Sequence, residues 1–253
     1  MEKRVDKLYP PVSEVTETER VGMVKEIFST ITPRYDFLNH FLSLRRDIAW
    51  RRFTVRKMNF FHTNRFLDVA CGTGDLSIDA AERYPHITVN GIDFVSEMIQ
   101  IGQTKTEQEG LSDRIRFITG DALHLPFADN SFDVAAMAFG IRNIPDKQGA
   151  LREMVRVIVP GGQVMVLEMT FTRNRAFRKL YNIYLNHILP GLARLFSSNP
   201  AAYYYLADSI MNFPTPQEFS GLMEGVGIQN VAAYSLTFGV TYLHVGTKPA
   251  HSS

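Results

Sequence analysis

The chain has 253 residues, 45% of them hydrophobic, and a formal net charge of +1, which suits one α/β core and argues against a dedicated nucleic-acid binder. Its single cysteine, Cys71, excludes an intrachain disulfide. No apolar run approaches the roughly 18 residues of a membrane span, and the stretch from Met1 to Asp6 lacks the apolar core of a signal peptide, so a cytoplasmic chain is expected.

Residues 1–20 are polar and carry Pro10-Pro11, and are expected to be mobile or draped over the surface. A helix is predicted from about Val21, because Val24, Ile27, Phe28 and Ile31 recur on one face until Pro33 breaks the pattern. An aromatic-rich segment from Tyr35 to Leu42 follows, then a basic helix over 48–58. Five short apolar runs (66–70, 87–92, 115–119, 132–138 and 163–168) then alternate with helical patterns, which predicts a parallel sheet covered on both faces. Leu151, Met154, Val155 and Ile158 mark the helix before the fifth run, and Pro160-Gly161-Gly162 is read as its end and the turn after it.

From Arg173 the strand signal stops, and Phe177, Tyr181, Tyr184, Leu185 and Ile188 repeat at helical spacing before Tyr203-Tyr204-Tyr205-Leu206. This reads as a helical lid insertion at about 173–213. The core pattern resumes at Thr215-Pro216-Gln217-Glu218, a capping box with proline in the first turn, ahead of Phe219, Leu222, Met223 and Val226. Two last strands, 231–236 and 240–248, are joined through Thr237-Phe238-Gly239, too short for a parallel crossover, so they pair antiparallel. The expected fold is therefore α/β: a Rossmann-like, seven-stranded, mostly parallel sheet with an antiparallel final strand, an N-terminal helical segment and a lid, forming one domain over 21–253.

In such a sheet, ligands bind beyond the carboxyl ends of the strands. There the sequence places Cys71-Gly72-Thr73-Gly74-Asp75, Asp93, Gly120-Asp121-Ala122, Phe139-Gly140-Ile141-Arg142-Asn143 and Glu168-Met169-Thr170. Gly72 and Gly74 let backbone approach a ligand closely. Asp93, an acceptor-only carboxylate about 20 residues beyond the glycine turn, matches a ribose diol; capping the helix ahead of Ser96 is its bland alternative. Asp121 matches an exocyclic adenine amine or, alternatively, a turn after Gly120. Asp75 is either a ligand or an acid matched to a helix dipole, and Cys71 reads as a small buried residue rather than a nucleophile. Nicotinamide dinucleotides usually require a third glycine, where this chain has Ser77, and no pyrophosphate clamp is visible; S-adenosylmethionine, which has no phosphate, fits better.

The glycine turn, Asp93, Gly120-Asp121-Ala122 and Pro160-Gly161-Gly162 resemble the motifs of class I S-adenosylmethionine-dependent methyltransferases. Val24-Lys25-Glu26-Ile27-Phe28 through Tyr35-Asp36-Phe37-Leu38-Asn39, with Ala138-Phe139-Gly140-Ile141-Arg142-Asn143, is similar to the ubiquinone/menaquinone-biosynthesis C-methyltransferase family, a resemblance running from about Val21 to Lys248. It implies methylation of a ring carbon of a reduced prenylated quinone, with the cofactor at Thr73, Asp93, Asp121 and Ala122 and no metal. Some members contact the cofactor through a serine at the position of Ala138, which lacks the hydroxyl. Arg142, too basic to act as a base, is expected to stabilise a phenolate or orient a water, or else to form a structural salt bridge. Tyr35 is expected at the substrate oxygen, one helical turn from Asn39, with plain packing as its alternative; packing is also the safer reading of Tyr184 and His187. The expected partners are a prenylated quinol, a second copy of the chain and a membrane surface met by Arg45, Arg46, Arg51, Arg52 and Arg56, a run that reads equally as a solvated face. The competing readings are an S-adenosylmethionine-dependent methyltransferase of another small molecule, which is the closest alternative, a nicotinamide-dependent oxidoreductase and a non-catalytic scaffold subunit.

Overall fold

The computed structural model describes residues 10, 15–31, 40, 43–170 and 201–250. Tyr35, Asp36, Asn39, Tyr184 and His187, and the lid before Ala201, lie outside the described residues.

Two helices, α1 (Glu17–Ile31) and α2 (Arg46–Arg56), precede the sheet. The core then alternates β1 (Arg65–Val69), α3 (Asp75–Arg83), β2 (Thr88–Asp93), α4 (Ser96–Gln108), β3 (Ile115–Thr119), β4 (Phe132–Ala138), α5 (Lys147–Val157) and β5 (Ile158–Met169). It ends with α6 (Ala201–Met211), α7 (Pro216–Gly225), β6 (Gln229–Leu236) and β7 (Thr241–Thr247). The seven strands lie in the order β3-β2-β1-β4-β5-β7-β6. Strands β1 to β5 pair parallel, and β7 runs antiparallel to both β5 and β6. The strand order reverses between β1 and β4, the place where open parallel sheets bind ligands.

Successive strand residues bury against opposite layers of helices. Phe66 packs in one core with Ile27, Trp50, Ala80 and Ile99, while its neighbour Leu67 packs in the other with Leu151, Met154 and Phe219. That double burial is why the strands read as continuous apolar runs.

Some boundaries differ from the sequence expectation. Helix α1 begins at Glu17 rather than Val21, because Thr16 and Glu19 form a reciprocal cap: Glu19 N donates to Thr16 Oγ1 at 3.3 Å and Thr16 N to Glu19 Oε2 at 2.9 Å. Helix α5 stops at Val157, and Ile158 already pairs with Phe132 in the sheet. Pro160-Gly161-Gly162 therefore lies inside β5 as a bulge, the register jumping from Phe132↔Ile158 to Val134↔Gln163, rather than ending the helix. The box at Thr215 and Glu218 caps α7 as expected.

At the amino edge of the sheet, fully buried Asp133 gathers the connection from α2 to β1. Its carboxylate accepts from the backbone N–H groups of Phe61, His62, Thr63 and Asn64, at 2.7 Å from Asn64. Gln163 adds two bonds to the same connection, accepting from Asn59 N and donating to Lys57 O. Among the described residues no helix is long and apolar enough to cross a membrane.

Candidate active site

A cleft with about 940 Å3 of empty space, counted to its open mouth, opens at the carboxyl edge where the strand order reverses. Its walls come from the ends of β1 (Ala70, Gly72), β2 (Asp93, Phe94, Val95), β3 (Gly120, Asp121, Ala122) and β4 (Ala138, Phe139, Gly140). Helix α1 roofs it with Val21, Val24 and Phe28. Among the described residues its polar side chains are few and no lysine or arginine lines it.

Asp93 braces the glycine turn. Its Oδ2 accepts from Gly72 N at 2.7 Å and its Oδ1 from Val95 N at 2.9 Å. Burial pushes its carboxyl up, against these backbone bonds, which hold it down. Asp121 stands exposed at the end of β3, accepting from Leu123 N at 2.9 Å. Gly140 is required by its neighbours, since a Cβ there would fall 2.7 Å from that of Ala70. Beneath the turn, the Phe117 ring is held among glycines of three elements: added Cβ atoms would meet it at 2.4 Å from Gly91, 2.5 Å from Gly74 and 3.1 Å from Gly102.

Of the residues expected at the cofactor, Gly72, Asp93, Asp121 and Ala122 line the cleft, as does Ala138. Thr73 and Gly74 do not. Thr73 is buried with Lys105 Nζ 3.4 Å from its Oγ1, and Gly74 takes a left-handed φ of 81° as the N-cap of α3. Ser77, notable in the sequence only as an absent glycine, is fully buried and donates to Asp68 Oδ2 at 2.6 Å. Burial pushes the Asp68 carboxyl up to about 7, with the Ser77 hydrogen bond opposing and the charges of Asp93 and Asp75 adding.

A second polar group lies beside the cleft, at the ends of β4 and β5. Arg142 is buried, and its Nη1 donates to Glu168 Oε1 at 2.5 Å, so the ion pair foreseen as its structural alternative is present. Arg142 does not line the cleft, but the next residue, Asn143, does. Asn143 Oδ1 accepts from the buried Tyr205 hydroxyl at 3.3 Å. Arg20 of α1 donates to Arg142 O at 2.6 Å; burial raises the pKa of the same hydroxyl, and the charge of Arg20 pulls against that rise. Lys147 donates to Ile144 O at 3.0 Å, and burial with the nearby charge of Arg20 pushes its ammonium down to about 8. Arg20 and Lys147 carry no local sequence signal, and Tyr205 stood out only as one of a run of three tyrosines; Arg20 and Arg142 are 122 positions apart.

A third group joins α2 to α3. The Arg51 guanidinium bridges Asp47 at 3.0 Å and Asp75 at 2.8 Å, Lys105 also pairs with Asp75, and His40 Nδ1 lies 2.7 Å from Asp47. His40, Asp47 and Asp75 could by spacing share a cation, but Arg51 already lies against both carboxylates. Arg51 is thus buried in ion pairs and unavailable to a membrane, Arg52 leans on Asp79 at 3.6 Å, and Arg56 stacks over Phe53.

The model of the ubiE/COQ5 methyltransferase family matches residues 13–248. The chain belongs to that family. It is 42% identical over 232 residues to the ubiquinone/menaquinone biosynthesis C-methyltransferase UbiE of Geotalea daltonii, covering 91% of this chain and 98% of the relative. It is 43% identical over 223 residues to the demethylmenaquinone methyltransferase of Thermus thermophilus, covering 88% and 100%. Among solved structures it resembles a Haloferax volcanii complex of the Trm112 methyltransferase activator with a methyltransferase (TM-score 0.64, 18% identity, 91% of this chain and 99% of that one). The [4+2]-cyclase SpnF is similar at TM-score 0.62 and 18% identity, over 90% and 96%. At those identities the solved structures establish the fold alone. This chain is a methyltransferase of the ubiE/COQ5 family, and the cleft at the β1–β4 switch point is its candidate donor site.

Proposed function

We propose that the chain transfers a methyl group from S-adenosylmethionine to a ring carbon of a reduced prenylated quinone, demethylmenaquinol or a demethylated ubiquinol precursor. The observation that carries the donor assignment is a roofed cleft holding two strand-end carboxylates, Asp93 and Asp121, with no cationic side chain among the described residues of its walls. Such walls suit a cationic sulfonium nucleoside and leave a pyrophosphate without counter-charge, which disfavours the oxidoreductase reading. The family and the names of the two relatives support the acceptor.

When bound, S-adenosylmethionine supplies an electrophilic methyl group on sulfur. Asp93 accepts from the ribose hydroxyls while bracing Gly72, Asp121 and Ala122 hold the base, and Val21, Val24 and Phe28 exclude water. Thr73 and Gly74 contribute by shaping the turn. On the acceptor side, the proposed catalytic residues are Arg142, a buried cation that favours the phenolate, and Tyr35, at the substrate oxygen. Methyl transfer assayed with demethylmenaquinol, the demethylated ubiquinol precursor and a tail-less analogue tests the acceptor; turnover of none of them overturns it. Calorimetry with Asp93→Asn tests the donor: affinity should fall on the order of tenfold, and unchanged affinity removes Asp93 from the site.

A prenylated acceptor lives in a bilayer, and we propose that the carboxyl edge meets it there. Leu44 is 81% and Phe238 80% exposed, with Arg45 and Arg46 exposed beside Leu44. Trp50 Nε1 donates to Thr237 Oγ1 at 2.9 Å, bringing the start of α2 near the β6–β7 turn. That turn lies at the cleft edge of the sheet, because Thr241 pairs with Met169 at the end of β5. Cosedimentation with phosphatidylglycerol vesicles should fall in the Leu44→Ser and Phe238→Ser double variant; equal binding refutes the surface.

A further inference from the structure

We infer that Arg20 is a positioning residue for methyl transfer: it ties the helix roofing the donor cleft to the turn that carries Arg142 and Asn143, and so aligns the acceptor side only when the roof is seated. This rests on the donor and acceptor assignments above, and extends them to a residue with no place in the cleft.

Helix α1 has two attachments at its cleft end. Its apolar side chains Val21, Val24 and Phe28 cover the cleft, and Lys25 lies over the Phe94 ring, 5.2 Å from its centroid, one residue after Asp93. These hold the helix to the donor side. Arg20, one helical turn before Val24, reaches the end of β4 instead. Its Nη2 donates to Arg142 O at 2.6 Å, and its charge acts on the Tyr205 hydroxyl, which itself donates to Asn143 Oδ1. Arg20 thus joins α1 to the 3-10 turn Ile141–Asn143, which Tyr205 of α6 also holds through Asn143. A three-residue turn has few internal bonds to fix it. Glu168 sets it from below, accepting from Arg142 N at 3.2 Å and from its guanidinium, and Arg20 sets it from above.

Arg142 O can meet Arg20 only while α1 lies over the cleft. Lifting the roof breaks the upper fixing of Arg142 and Asn143, and reseating it restores the fixing. Methyl transfer depends on alignment of donor and acceptor, so a misplaced turn costs rate more than donor affinity.

The test compares Arg20→Gln and Arg20→Lys with the wild-type full chain. Arg20→Gln should lower kcat with demethylmenaquinol on the order of tenfold or more, while S-adenosylmethionine affinity by calorimetry changes less than about threefold. Arg20→Lys, which keeps one charged donor, should recover part of that kcat. Amide exchange over 141–143 should rise in Arg20→Gln. An unchanged kcat, or a loss matched by an equal loss of donor affinity, overturns the proposal, as does unaltered exchange in the turn. If wild-type enzyme turns over no quinol, the acceptor reading fails, and the exchange measurement still decides the role of Arg20.

Discussion

Replacing Asp68 with asparagine should change how stability depends on pH. Asp68 is 1% exposed at the end of β1, and burial raises its carboxyl from 3.8 to about 7. At a pH below the unfolded value both states hold the proton, and the group contributes nothing to the slope. Above it the unfolded chain has released the proton while the folded chain keeps it, so stability falls as pH rises, until the folded group ionises near 7. Three units at 1.36 kcal/mol each give a total loss of about 4 kcal/mol, of which about 2 kcal/mol falls above pH 5.5. Asparagine does not titrate, and its amide oxygen still accepts from Ser77. Urea unfolding of both proteins at about pH 5.5 and about pH 8.5 isolates the effect, because the difference between them cancels the other titrating groups. The variant should gain about 2 kcal/mol on the wild type between those conditions. Parallel pH profiles would refute a buried, protonated Asp68.

Two further outcomes follow from contacts beneath and beside the cleft. In Gly91→Ala the new methyl meets the Phe117 ring at 2.4 Å, so unfolding free energy should drop by about 1–3 kcal/mol and recover in part with Phe117→Leu; a neutral Gly91→Ala contradicts the packing. Arg142→Ala leaves Glu168 buried without its guanidinium and should cost about 3 kcal/mol or more by urea melt. The pair Arg142→Met with Glu168→Leu should restore stability but not turnover, and restored turnover removes Arg142 from the reaction.

The sheet and the cleft at its carboxyl edge were legible because their signals are local. Continuous apolar runs marked strands buried on both faces, and Asp93 announced itself by ending one of them. Ser77 was read as a missing glycine, although its hydroxyl serves a carboxylate nine positions back, a pairing that only a completed turn creates. Pro160-Gly161-Gly162 was read as a helix end because its residue types suit one; the pairing of Ile158 with Phe132, a long-range event, makes it a bulge. The early start of α1 was available in Thr16 and Glu19. Arg20, Glu168 and Tyr205 converge on Arg142 and Asn143 from distant segments, and no spacing rule encodes that meeting.

The clamp that Asp133 and Gln163 place on residues 57–64 fixes the foot of α2, and the Arg51 and Arg52 ion pairs couple the helix to α3. The anchored foot is at the sheet's amino edge, and the far end of α2 reaches the carboxyl edge through the Trp50 contacts with Thr237 and with the Phe139 ring, 6.0 Å away. A small tilt about that foot is amplified along the helix and delivered at Phe139, a wall of the cleft. A load on the outer end of α2 thus has a lever onto the cleft, without any change at the foot.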